Sequence, residues 1–147
     1  MGKKVEITLN VQASSLYGMS NPSQSDIDGK CSLSDDNSGS SPNGTLEDFL
    51  SNVYINQDVK WKGLTVDQGY SVAIDSIVYE RQSNDVNFFD TTTIGGTGGR
   101  SGNVTAKVKN DSSLVNQIDQ YTINFSVYDD GNSSKSFSID PKLAANP

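Results

Sequence analysis

Apolar and polar residues alternate most regularly over positions 121–128. Tyr121, Ile123, Phe125 and Val127 alternate with Thr122, Asn124, Ser126 and Tyr128. A period of two places one apolar row on one face of a strand. Asp129, Asp130, Gly131 and Asn132 follow with turn chemistry, Gly131 being the residue free to take a positive φ without steric conflict. Phe137 and Ile139 then resume the alternation. The stretch predicts a β-hairpin with one apolar side, which a second layer must cover.

The same pattern recurs along the chain. Val5, Ile7, Leu9 and Val11 alternate with Glu6, Thr8 and Asn10 and predict a first strand. Val59 and Trp61 alternate with Lys60 and Lys62, which places Trp61 in the core. In YSVAIDSIVYE (70–80), Val72, Ile74 and Val78 fall on one face and Ala73, Ile77 and Tyr79 on the other. Two partly apolar faces predict a central strand or a bulge near positions 75 and 76. Further strands are expected at 49–55 (or a short helical turn), 86–89 and 104–108, with Val104, Ala106 and Val108 facing inward. Residues 12–48 are Ser-rich and lose the alternation; they predict a long loop holding a short strand near 27–33, with a mobile tip at 38–43. Asp140-Pro141 is expected to end the hairpin, because proline lacks a ladder donor. The sum is an all-β, single-domain antiparallel β-sandwich, immunoglobulin-like or jelly-roll-like, with seven or eight strands across residues 1–147.

Charge and composition narrow the chemistry. With 11 basic and 18 acidic residues the net charge is −7, and no basic cluster offers a face for phosphate, so neither nucleic acid nor an anionic membrane is an expected partner. Histidine is absent and Cys31 is the sole cysteine, which removes the usual triads, zinc sites and any intramolecular disulfide. A non-catalytic role without a required cofactor is therefore expected. The glycine-rich IGGTGGRSG (94–102) precedes a strand pattern instead of a helix and lacks the phosphate-loop lysine, so it reads as a sandwich loop from which Arg100 could contact an anionic partner. Asp35 with Asp36, and Asp129 with Asp130, place hard oxygen ligands in turns and make calcium the one metal worth testing; Asp85 with Asp90 is a third such pair. Trp61, Tyr54, Tyr70 and Tyr79 could form a sugar platform if exposed, whereas Tyr17 and Tyr128 lie among polar residues and are the better surface-contact candidates, carbohydrate included. Met-Gly-Lys-Lys runs directly into the first strand with no apolar run of signal-peptide length, so a cytoplasmic location is expected.

Several segments in order resemble a known family. ITLNVQAS (7–14) leads to SDIDGKCSLSDDN (25–37), then to VKWKG (59–63) before YSVAIDSIVYE, and the hairpin closes on Asp140-Pro141-Lys142-Leu143. This series resembles the bacterial inclusion-body proteins of the PixA/AidA type. The resemblance implies a cytoplasmic β-sandwich, abundant enough in some members to form inclusions, and carries no catalytic residues. A structural, self-assembling homo-oligomer is the function it points to. A lectin-like or calcium-assisted binding module and a phage or injection-system shell component are the alternatives.

Overall fold

The alternating segment at 121–128 lies within β8 (Ile118–Tyr128), the longest strand, and the turn after it leads back along β9 (Ser134–Ile139) in antiparallel register, Phe125 opposite Phe137. The computed structural model describes residues 2–37, 39–80 and 86–147. In the hairpin turn the positive φ falls on Asn132 (67°), not on Gly131. Asparagine tolerates the left-handed region better than other non-glycine residues.

Two sheets pack face to face. In the first, β1 (Val5–Val11) lies between β2 (Cys31–Asp35) and β4 (Asp58–Leu64), and β7 (Val104–Lys107) forms the far edge. In the second, β8 is flanked by β5 (Ser71–Tyr79) on one side, and beyond β5 lies the short β6 (Thr93–Gly95). On its other side β8 pairs with β9 and then with β10 (Lys142–Asn146), and β3 (Leu50–Tyr54) completes that edge. The all-β reading holds, with ten strands among the described residues. The sheets are mixed, since β1 runs parallel to β4 and β3 parallel to β10. The crossing of β3 into the second sheet brings the chain back beside β1 in the same direction.

Several local expectations change. The expected loop at 12–48 contains two short helices, α1 (Ala13–Tyr17) and α2 (Gln24–Gly29), the latter opened by a reciprocal capping box between Ser23 and Asp26. Ile27 is therefore a buried helical residue, while Cys31 and Leu33 face inward on β2. Residues 86–89 are not a strand, although Phe88 and Phe89 are buried. Of the expected mobile tip, Ser38 lies outside the described residues, and Ser40 forms a bridge with Leu50. Asp140-Pro141 does not end the ladder. Tyr121 N–H donates to the Pro141 carbonyl at 3.2 Å, so β10 continues the register of β9 with one donor missing. The register of β5 shifts between Ile74 and Ser76, where the bulge was expected. Its consequence is that Ile77 joins Val72 and Ile74 on the inner face, opposite Ile123, Val127 and Phe125, and Val78 moves outward.

The core is one cluster drawn from both sheets. At its centre Trp61 of β4 and Tyr121 of β8 are fully buried, with ring centroids 5.8 Å apart, and Trp61 Nε1–H donates to Tyr121 Oη at 3.0 Å. Phe89 also meets the indole edge-on at 5.8 Å. Burial holds the Tyr121 phenol well above its usual range, partly offset by the indole donor. Tyr121→Phe should leave the indole N–H without an acceptor and lower unfolding free energy by about 1–3 kcal/mol in urea titrations; a change within error would mean that the bond adds nothing to stability.

Burial, with a smaller contribution from Asp28, also pushes the Cys31 thiol up to about 12. Below pH 9, the ordinary thiol value, folded and unfolded chains both hold the proton. Between 9 and 12 the folded chain keeps a proton that the unfolded chain has lost, so stability falls as pH rises. Wild type should therefore lose more stability between pH 8 and pH 11 than Cys31→Ala, as read from paired urea midpoints; parallel losses would contradict the assignment.

Candidate functional site

Three side chains singled out in the sequence, Tyr17, Tyr128 and Arg100, come together at one end of the sandwich. The chain order gives no hint of this, since they lie on α1, at the end of β8 and in the glycine-rich loop. Tyr17 tilts against Tyr70 with ring centroids 5.9 Å apart. Lys135 Nζ sits 4.8 Å from the Tyr17 ring centroid and donates to the Tyr17 carbonyl at 2.6 Å, tying α1 to β9. Desolvation and the nearby Asp129 carboxylate both raise the Tyr17 phenol above its usual value, so it stays a neutral hydroxyl at physiological pH.

Arg100 joins the glycine-rich loop to the hairpin turn. Its Nη1 donates to the Asp129 carbonyl and, at 3.4 Å, to Asn132 Oδ1. Its Nη2 donates to Ser71 Oγ at 3.1 Å, and the guanidinium lies 5.8 Å from the Tyr128 ring centroid. All of these are neutral acceptors. Among the described residues no carboxylate forms an ion pair with Arg100; the ion pair present is Lys62 with Glu6 at 2.7 Å.

A groove of about 360 Å³ opens beside this arginine, lined by Lys60, Lys62, Tyr70, Ser71, Arg100 and Asn103 among others. It exists because β7 begins only at Val104, so the last residues of β4 lose their antiparallel partner while β1 still holds their other edge. Gly63 forms part of the floor. A Cβ there would lie 2.5 Å from Val72 Cγ1 and 2.6 Å from the Val72 carbonyl oxygen, so glycine is what allows β4 and β5 to close at this point. Loop geometry sets the far wall, where Ile74 N–H donates to the Gly102 carbonyl at 2.9 Å. As the sequence indicated, a strand and no helix follows the glycines.

The acidic pairs do not converge. Asp35 Oδ1 accepts from the Asn37 and Gly39 amides, both at 2.9 Å, and its Oδ2 accepts from Ser51 Oγ. Asp36 Oδ1 accepts from the Glu6 amide at 3.0 Å. Asp129 Oδ1 accepts from the Ser133 amide at 2.9 Å, and Asp130 is exposed in the same turn. Asp35 and Asp129 thus organise their own turns, and Asp36 ties its turn to β1. Among the described residues no three acidic or cysteine side chains gather in a way that could hold a metal ion. Asp85 lies outside the described residues. Of the aromatic set, Trp61 is core, while Tyr54, the last residue of β3, accepts from Asn37 Nδ2 at 3.1 Å. Lys60, Lys62 and Lys135 were not foreseen as site residues. The signal available was that Lys60 and Lys62 flank an inward tryptophan and so share the outward face.

No helix among the described residues is long and apolar enough to cross a membrane. No family model and no curated protein matches the sequence. Among solved structures, the chain is similar to the crystal structure of the inclusion body protein PixA from Burkholderia cenocepacia J2315, with a TM-score of 0.63 over 98 % of this chain and 95 % of that one. Identity is 12 %, so the relation lies in the fold. Murine CRIg gives a TM-score of 0.38 at 10 % identity over 67 % of this chain and 92 % of its own. What the chain shares with the PixA structure is a whole-length β-sandwich layout.

Proposed function

We propose that this protein is a non-catalytic structural protein of the bacterial cytoplasm that associates with copies of itself, in the manner named by the inclusion-body resemblance. The single observation supporting this most strongly is the fold likeness to an inclusion body protein across nearly the full length of both chains.

The sheet edges suggest how copies would meet. The β9 edge is partly covered by α2, where Gln24 Nε2 donates to the Ser138 carbonyl at 2.8 Å. The β3 edge carries the Ser40 bridge, β6 has three residues, and β7 exposes Lys107. In contrast, β2 presents exposed Ser32 and Ser34, neither charged nor proline, the residue types that normally discourage edge-to-edge pairing. Pairing of β2 with its own copy across a two-fold axis would extend the four-stranded sheet into a continuous eight-stranded one.

Light scattering on a size-exclusion column should give a mass that rises with protein concentration. The double substitution Ser32→Lys and Ser34→Lys should return it toward the monomer while leaving the thermal midpoint within about 2 °C, as for surface changes. A monomeric mass throughout a series into the millimolar range would refute self-association, and an unchanged oligomer in the double variant would refute the β2 route.

A further inference from the structure

We propose that the groove at the end of β4 is a binding site for a small polyhydroxylated carboxylate, a sugar acid of the uronate class. The site is independent of the self-association reading.

Arg100 provides the main reason. A guanidinium carries five N–H donors in a planar fork. Its bonds to the Asp129 carbonyl, Asn132 Oδ1 and Ser71 Oγ use three of them, leaving two without an acceptor among the described residues. The side chain is half-buried at the groove wall, so these donors are partly removed from water and have a full positive charge behind them. The unused donors are Nε–H and one Nη2–H, and the group that pairs with a guanidinium's charge and N–H donors is a planar carboxylate.

The rest of the wall extends the argument. Lys62 is neutralised by Glu6, but Lys60 and Arg100 have no ion-pair partner among the described residues, so the groove keeps two uncompensated cations with no carboxylate in its lining, on a chain whose net charge is −7. A local excess of positive charge on an acidic protein marks a place where an anion is held. Ser71, Thr65 and Asn103 add hydroxyl and amide groups that both donate and accept, which suits a ligand bearing several hydroxyls. Tyr70 adds an aromatic wall, fixed by its contact with Tyr17, against which the C–H face of a pyranose can pack. The volume of about 360 Å³ lies at the small end of ligand pockets and suits one or two rings.

The test titrates glucuronate, glucose and inorganic phosphate separately into the full ¹⁵N-labelled chain at pH 7. Glucuronate should shift the amides of Ser71, Gly102 and Asn103 saturably, with glucose and phosphate each at least about tenfold weaker. Arg100→Gln should weaken glucuronate at least about tenfold, the size of losing charge-assisted hydrogen bonds. Because Arg100 also braces the hairpin turn, Lys60→Gln is the second variant; it removes an exposed charge, should leave the thermal midpoint unchanged, and should weaken glucuronate by about twofold to fivefold. Glucose binding as tightly as glucuronate would overturn the carboxylate, and phosphate binding as tightly would overturn the sugar. Shifts confined to amides outside the groove, or full affinity in Lys60→Gln, would overturn the site.

Discussion

A single polar contact in the middle of the core constrains how the two sheets meet. The Trp61 indole N–H and the Tyr121 hydroxyl come from different sheets, and each is sealed from water. A buried donor without an acceptor is expensive, whereas dispersion contacts between apolar side chains tolerate small slides. The sheets therefore have one offset at which both polar groups are satisfied. That offset fixes where β4 ends relative to β5, and so where Gly63 meets Val72. The groove is a consequence of the same alignment, since it opens where β4 outlasts its partner β7. The buried bond thus acts less as a source of cohesion than as a gauge for the distance between sheet ends.

Much of the layout is legible from alternation alone. A strand buried on one face must repeat every two residues, and β1 does so over its whole length, β4 over 58–62 and β8 over 118–125. The bulge in β5 was also readable, because two apolar faces on one strand conflict with a single inner face. Which side Ile77 would take was not, since that depends on where the extra residue sits. The sequence-based reading failed where non-local partners override a local rule. Pro141 lacks a donor, yet its carbonyl still accepts from Tyr121, and β3 on the far side of β10 holds the strand in place. Likewise α1 and α2 are too short to show a helical stripe; α2 is held by its capping box, and α1, without a side-chain cap, is held by the burial of Ala13 and Leu16.

The functional end was half legible. Tyr17, Tyr128 and Arg100 each stand out as aromatic or cationic residues in polar surroundings, but nothing local says that three distant segments share one corner. That information lies in the topology, with β5 beginning and β8 ending at the same height. Asp129 was visible too, although its carboxylate organises the hairpin turn and acts on Tyr17, and among the described residues no group of three acidic or cysteine side chains forms there as a metal site would require. Aspartates are common in turns because they bond to nearby amides. The same local bonding that made them conspicuous also keeps them apart.

The position of β10 in the chain has a kinetic meaning. It is the last of the strands, yet it sits between β3 and β8, the former some ninety residues earlier. Strands whose partners are that distant are slow to find them, because a long loop must close first. Until β10 arrives, the second sheet has a vacant lane bordered on one side by β3 and on the other by β8. At high protein concentration other copies of the chain supply the missing segment, each able to enter the lane of another. The interval between synthesis and closure, more than the finished surface, would then decide whether neighbouring molecules remain separate.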